Sequence, residues 1–232
     1  MLLEEFRMQQ PSQAEKAYIL LASLFIGVLL LTNIITSKYI TVFRLTFTAG
    51  AITYPFTFSL LDIITEIHGK NRAKMVIWMG FFASLFMTLI TYIANIIPVY
   101  EHSPVPQSSF RAVFGFTPGI VLGSMVAYLI SQFMDVYLLE LIRRLTNGRH
   151  LWIRNNLSTL VGQLVDTAIF AVVAWILWPR IGSSQMLEPI SWDTWYQITL
   201  NEYSFKVLFS FFNIPFVYLG IYLVRRYMKM KD

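Results

Sequence analysis

Two carboxylates stand four residues apart in an otherwise apolar stretch: Asp62 and Glu66, within residues 54–69. On a helix this spacing places both side chains on one face. A charged side chain near the centre of a membrane costs about 2.5–3.5 kcal/mol on insertion scales. The pattern therefore indicates a polar functional site on a membrane-spanning helix. Ion pairing with Lys70 and Lys74 at the helix end is the alternative interpretation, above all for Glu66.

A second pattern, Gln-x-x-Asp, occurs twice, from Gln132 to Asp135 and from Gln163 to Asp166. It places an amide and a carboxylate on the same side of a helix. Neither aspartate has a cation within helical reach, which disfavours a purely structural role. The two copies are also compatible with a 3+3 inverted repeat, an arrangement used by transporters.

The composition is that of an integral membrane protein. Of the 232 residues, 56% are hydrophobic and 13% are charged, whereas about 25% of the residues in a soluble domain are charged. We predict an all-α membrane protein with one transmembrane domain over residues 1–232 and six helices. Each helix has about the 20 residues that a bilayer requires. The predicted spans are residues 17–37, 47–67, 75–97, 117–141, 158–178 and 204–224.

The cations predict the orientation of these spans. Of the 18 lysines and arginines, 13 fall in segments on one side and 5 on the other. The positive-inside rule therefore places both termini in the cytoplasm. Lys206, one of the five, is interpreted as a lysine that extends from the outer end of its span to the interface.

The predicted spans convert the acidic positions into depths. At 1.5 Å per residue, Asp62, Asp135 and Asp166 lie about 10–15 Å from the cytoplasmic ends of their helices. Three carboxylates on three spans therefore share one layer, which is the predicted substrate site. The other residues predicted to bind substrate are Gln132, Gln163, Asn213, Tyr54, Thr57 and Glu66.

Motifs of other protein classes are missing from the sequence. Cysteine is absent, so disulfides and thiolate metal sites are excluded. Zinc-protease, nucleophile-elbow, P-loop and dinucleotide patterns are also absent. We therefore expect neither an enzyme nor a cofactor or metal. The cations lie in short loops, so nucleic acid is not an expected partner. An intramembrane aspartyl hydrolase, using two of the three aspartates, is the weaker alternative.

Two glycine and proline patterns carry structural expectations. Gly50 and Pro55 predict an irregular backbone in the outer half of the second span. Gly119 and Gly123 form a GxxxG pattern, which predicts close helix packing within the chain or across a homodimer.

Three blocks of the sequence form a recognisable order. The blocks are Tyr54–Thr57 with Asp62 and Glu66–Gly69; Ser131–Asp135; and Trp152–Thr159 continuing to Gln163–Thr167. They resemble the queuosine precursor transporter family, formerly described as vitamin uptake transporters. The resemblance extends from the first span to the last, and Gly162 stands where a serine is expected.

The resemblance implies a transporter of the bacterial cytoplasmic (inner) membrane. It would import 7-cyano- or 7-aminomethyl-7-deazaguanine, or queuine, for tRNA modification. The predicted residues suit such a base, because a carboxylate accepts its ring N–H and exocyclic amine while an amide donates to its carbonyl. The flat ring stacks on an aromatic side chain. The alternative within transport is a six-span substrate-binding subunit that needs a separate ATPase.

Overall fold

The computed structural model describes residues 12–42, 44–145, 151–181 and 188–229; at 129, 132–133, 135–140, 142–145, 151–159, 210–214 and 229 it describes the backbone alone. Helices make up most of this part of the chain, and six of them have 19 residues or more. In chain order the helices are α1 (Gln13–Ile35), α2 (Gly50–His68), α3 (Lys70–Ile96), α4 (Gln107–Phe114), α5 (Thr117–Leu145), α6 (Leu151–Val172), α7 (Trp178–Ile181) and α8 (Trp192–Lys229), and a π-helical turn at Val173–Leu177 joins α6 to α7.

A β-hairpin between α1 and α2 departs from the predicted all-α fold. Strands β1 (Tyr39–Val42) and β2 (Leu45–Thr48) pair antiparallel, with Tyr39 opposite Thr48. Both strands are rich in β-branched and aromatic residues, which favour a pleated backbone. The predicted spans end at residue 37 and begin again at residue 47, inside β2, and the segment between them is too short to form a span.

Helix α2 is continuous, which contradicts the predicted irregular backbone around Gly50 and Pro55. A proline lacks the N–H that would bond to the preceding turn. Two hydroxyl groups bond to carbonyl oxygens in this region, Thr53 to Gly50 at 3.1 Å and Ser59 to Pro55 at 3.0 Å. These two bonds lie on either side of the carbonyl of Ala51, which is the group that loses its backbone partner to Pro55.

Helix α8 is longer than predicted. It begins at Trp192 rather than near residue 204 and has 38 residues. The additional turns lie at the end of the molecule that holds the hairpin, because β2 packs against α8. At 1.5 Å per residue, Lys206 lies about 21 Å into this helix. Residues that the predicted span placed at a surface therefore lie inside the bundle.

Two apolar clusters form the core. One joins α1, α2 and α3 through Phe25, Ile64 and Val76. The other joins α5 to the π-helical turn through Ile120 and Trp175. Helix α8 packs against both α2 and α6, so it connects the two halves of the bundle.

Gly119 and Gly123 of the GxxxG pattern lie where α5 packs against the end of α6 and the start of α7. A Cβ atom on Gly119 would overlap Trp178, and one on Gly123 would lie 3.2 Å from the carbonyl oxygen of Phe170. The close packing predicted for this motif therefore occurs within the chain.

Large apolar side chains cover the outside of the bundle. On α3, Phe82, Phe86 and Ile96 are each at least 60% exposed. Such a surface is unfavourable in water, but lipid tails solvate it. The helical stretches of the described chain that are long and apolar enough to cross a membrane are Gln13–Ile35, Lys70–Ile96, Gln107–Tyr128 and Leu160–Ile181. The fold is that of a helical membrane protein.

Candidate functional site

A cavity of about 630 Å³ lies between the two apolar clusters. Phe25 from one cluster and Ile120 from the other both face it, and α2, α3, α6, α8 and Thr48 of β2 complete its wall. Small-molecule sites in proteins have volumes of about 300–1,000 Å³, so this cavity has a suitable size for one. The charged side chains in its wall are Lys74, Asp166, Glu202 and Lys206.

Lys206 lies at the centre of a buried polar network. Its Nζ atom is 3.5 Å from Oδ2 of Asp166 and donates a hydrogen bond to Oγ1 of Thr167 at 3.0 Å. The same atom lies 4.7 Å from the centroid of the Tyr54 ring, a cation–π contact. The side chains of Lys206 and Asp166 are only 11% and 23% exposed. The ammonium group thus holds α2, α6 and α8 together at one point of the cavity.

Glu202 lies one turn before Lys206 on α8, and it is 6% exposed. Residues four apart share a face of the helix, so both side chains reach the cavity wall. The Oε2 atom of Glu202 accepts a hydrogen bond from the hydroxyl of Thr48 at 3.3 Å. Next to it, Asn201 donates from Nδ2 to the carbonyl oxygen of Thr46 at 3.1 Å. The hairpin is therefore attached to α8 beside these charges.

We call Asp166, Glu202 and Lys206 the charged cluster. When all three are ionised the cluster carries one net negative charge. An excess carboxylate in a buried site is costly unless further donors reach it. A ligand that brings a cation or several N–H donors would offset that cost, so the cluster suits such ligands.

Aromatic and amide side chains line other parts of the wall. Tyr54 and Phe58, one turn apart on α2, make an edge-to-face contact with their ring centroids 4.8 Å apart. On α1, the buried Asn33 donates from Nδ2 to Oγ of Ser84 at 3.2 Å. The cavity therefore offers a flat ligand aromatic rings for stacking and polar groups for hydrogen bonding.

Three of the predicted site residues, Tyr54, Thr57 and Asp166, line this cavity. Gln163 is not part of the wall, and its side-chain oxygen is buried without a hydrogen-bond partner among the described residues. Asp62 is exposed on α2 and lies outside the wall as well. A role for Gln163 or Asp62 in binding stays a prediction.

Glu66 lies at the other end of α2, away from the cavity. Its Oε1 atom accepts a hydrogen bond from Nη2 of Arg225 on α8 at 3.3 Å, and these side chains are 59% and 55% exposed. Close by, His68 packs against the ring of Tyr18 with 5.4 Å between centroids. Burial lowers the pKa of His68, and the positive charge of Arg72 lowers it further.

The side chains of Asp135, Gln132 and Asn213 lie outside the described residues. Their helices, α5 and α8, both contribute to the cavity wall. The predicted layer of three carboxylates therefore stays a prediction.

Glu202 and Lys206 are the members of the charged cluster that the sequence prediction missed. The interpretation of Lys206 as an outer interfacial lysine is wrong, because its ammonium group lies in the cavity wall beside Asp166. The error came from the predicted start of the last span at residue 204. The four-residue spacing of Glu202 and Lys206 is the signal that would have found them, since the same spacing selected Asp62 and Glu66.

Apolar membrane-crossing helices surround a cavity of small-molecule size whose wall is mostly apolar and carries a charged cluster. This arrangement defines the class of protein: a helical membrane protein built like a transporter. Residues 48–220 match the family described as "Putative vitamin uptake transporter". The chain belongs to this family, which confirms the resemblance seen in the three sequence blocks.

Individual relatives agree with this assignment. The "Probable queuosine precursor transporter" of Bacillus subtilis (strain 168) is 34% identical over 190 residues, which are 80% of this chain and 76% of that protein. The "Queuosine precursor transporter" of Escherichia coli (strain K12) is 28% identical over 199 residues, 86% of this chain and 83% of that protein. No solved structure matches the chain. The protein is a multi-pass protein of the bacterial cytoplasmic (inner) membrane.

Proposed function

We propose that this protein is a secondary transporter that imports queuosine precursors across the cytoplasmic membrane. The observation that carries the proposal is the charged cluster, buried in a cavity of about 630 Å³ in a chain whose relatives are named queuosine precursor transporters. The substrate crosses chemically unchanged, so no catalytic step is involved. The partners are a purine-like base and the lipid bilayer.

The chemistry of a 7-deazaguanine supports the assignment. Its pyrimidine edge presents a ring N–H beside an exocyclic amine, and a carboxylate accepts both hydrogen bonds. Its carbonyl oxygen accepts from an ammonium or amide group, which Lys206 or Asn33 supplies. The flat ring stacks on Tyr54.

The charge of the cluster also suits a substrate with an aminomethyl group. That group is a cation at neutral pH, as a lysine side chain is. With its three groups ionised the cluster carries one net negative charge, which the cation neutralises. Lys74, the other charged side chain named in the wall, is exposed on α3. We therefore propose that 7-aminomethyl-7-deazaguanine, 7-cyano-7-deazaguanine and queuine are all candidate substrates, with the cationic base favoured by charge.

We further propose six transmembrane spans with both termini in the cytoplasm. The six long helices α1, α2, α3, α5, α6 and α8 supply them. The excess of cations on one side supports this orientation. The Glu66–Arg225 end then faces the cytoplasm, and the hairpin faces outward.

Two proposals on architecture rest on the sequence alone. The repeated Gln-x-x-Asp pattern on α5 and α6 supports a 3+3 inverted repeat. A homodimer would supply more protein around the cavity than six short spans provide.

We also propose further members of the site, whose helices border the cavity: Asp135, Gln132 and Asn213.

Queuosine in tRNA is the measurement that tests import. A bacterium that lacks both precursor synthesis and its own importer would receive this gene and be fed each deazaguanine at nanomolar levels. We expect queuosine to be restored, and the base that restores it names the substrate. Asp166→Asn should abolish restoration while the protein stays in the membrane. Asp193→Asn, an exposed change in the first turn of α8, is the matched control and should restore fully.

Two outcomes would contradict the proposal. The ligand is wrong if no base restores queuosine although the protein is found in the membrane. Asp166 is not part of the site if Asp166→Asn imports normally. Uptake by the purified protein in liposomes separates a transporter from a subunit that captures substrate for an ATPase, because only a transporter accumulates base inside them.

A further inference from the structure

The two carboxylates of the charged cluster differ in how their charges are matched. Asp166 has the ammonium group of Lys206 at 3.5 Å. Glu202 is more deeply buried, yet its hydrogen-bond donors in the described part of the chain are neutral groups of one residue, the hydroxyl of Thr48 at 3.3 Å and the backbone N–H of Thr48. No cation of the described chain lies within ion-pair distance of Glu202.

A carboxylate has two oxygens and about four lone-pair sites. Two donors from one neutral residue therefore leave about half of the acceptor capacity of Glu202 unused, in a place where unused capacity is costly. Glu202 lines the cavity, so a ligand can reach it. A ligand with two adjacent N–H donors would bind both oxygens at once, as the bidentate partners of carboxylates do.

Lys206 adds a hydrogen-bond donor next to the acceptor oxygens of Glu202. Residues four apart on a helix have Cβ atoms about 5–6 Å apart, so the carboxylate of Glu202 and the ammonium of Lys206 are neighbours on the cavity wall. Together they present two acceptors followed by a donor. The complementary ligand edge is an exocyclic amine, a ring N–H and a carbonyl in sequence, which is the pyrimidine edge of a guanine-type base.

We infer that Glu202 is the residue that recognises the amine and ring N–H of the substrate, with Lys206 donating to the adjacent carbonyl. The inference rests on the proposed function and assigns the specificity of its site to α8. Asp166 then acts as a positioning residue, because its contact with Lys206 holds the ammonium group in place. The ring of Tyr54, whose centroid is 4.7 Å from that ammonium, lines the same part of the cavity wall.

Two bases that differ only in the exocyclic amine test this inference. Binding of 7-cyano-7-deazaguanine and 7-cyano-7-deazahypoxanthine to the purified full-length protein would be measured by calorimetry. A hydrogen bond to a charged group contributes about 1.5–3 kcal/mol, so the wild type should prefer the amine-bearing base by about 10- to 100-fold. Glu202→Gln should reduce this preference to about 3-fold or less, since its amide offers one acceptor oxygen. Asp193→Asn should keep the wild-type preference.

Each outcome decides a separate question. If the wild type binds the amine-bearing base and folded Glu202→Gln keeps the full preference, the inference is wrong and the proposed function stands. If neither base binds the wild type, the proposed ligand is wrong and the inference falls with it. Should Glu202→Gln not fold, Glu202→Asp keeps the charge but withdraws the carboxylate by one methylene. Its preference should also fall, and an unchanged preference would overturn the inference.

Discussion

The Lys206–Asp166 and Arg225–Glu66 pairs have similar nitrogen–oxygen distances, 3.5 Å and 3.3 Å. Their surroundings are opposite. The side chains of the first pair are 11% and 23% exposed, and those of the second are 55% and 59% exposed. Water and salt screen the second pair, whereas protein surrounds the first. Distance alone therefore does not tell which pair matters to the protein.

The difference separates two uses of charge in one helix bundle. An exposed pair joins α2 to α8 at little energetic cost and with little gain. A buried pair is expensive to build, and replacing it by apolar groups often stabilises a protein. The charged cluster is thus a poor choice for stability alone, which is consistent with a site that serves a ligand.

Lys206→Met gives the largest expected effect in this comparison. It leaves Asp166 without its cation beside a second buried carboxylate, that of Glu202, and breaking a buried pair in this way costs about 3–5 kcal/mol. Arg225→Met is the matched control, with about 0–1 kcal/mol expected for an exposed pair. The free energy of unfolding would be measured by denaturant titration in mixed micelles. Equal losses for the two variants would show that the buried pair contributes no more to stability than the exposed pair does.

Lys206→Met combined with Asp166→Asn should recover part of that loss. The double variant removes both the cation and the carboxylate it faces, so only Glu202 remains charged. Interacting neighbours show coupling energies of about 0.5–3 kcal/mol, and we expect a value in the upper half of that range. The same cycle at Arg225 and Glu66 should give a coupling near zero. Strict additivity at Lys206 and Asp166 would mean that the two side chains do not interact in the folded protein.

These energies also explain what the sequence could and could not predict. The membrane class, the family and the presence of long helices follow from apolar composition and three motif blocks. Tyr54, Thr57 and Asp166 were predicted as site residues because polar groups inside apolar stretches are costly and so are informative. Glu202 and Lys206 carry the same signal, but a predicted helix start at 204 placed them at the membrane surface.

The angular spacing of residues around a helix explains why Asp166 lines the cavity and Gln163 does not. Gln163 and Asp166 are three residues apart, so they differ by about 60° around the axis of α6. That angle is enough for Asp166 to line the cavity while Gln163 does not. Periodicity identifies a polar side of a helix, but the position of the cavity depends on how neighbouring helices pack. The hairpin was missed because its segment is too short to form a span, and its contact with α8 is a tertiary one that periodicity does not give.

Thr167→Val should have a smaller effect on the buried cluster, because it leaves all three charges in place. It removes the hydroxyl that accepts from Nζ of Lys206 at 3.0 Å and keeps the shape of the side chain. A hydrogen bond to a charged group contributes about 1.5–3 kcal/mol, and we expect a loss in the lower half of that range because Asp166 still holds the ammonium. Thr41→Val is the matched control, since its hydroxyl lies in an exposed contact with Thr46 at 3.0 Å. A larger loss from Thr41→Val would contradict the expected order.

Salt gives the smallest effect and the clearest separation of the two pairs. The Debye length is about 10 Å at 0.1 M and about 3 Å at 1 M ionic strength, and buried pairs are screened much less than exposed ones. The small cost of Arg225→Met should therefore vanish at 1 M salt. The cost of Lys206→Met should persist, because water and ions do not reach its pair freely. If salt also erased the effect of Lys206→Met, the cavity would have to be open to bulk solvent at the charged cluster, and the carboxylate of Glu202 would have no excess cost for a ligand to offset.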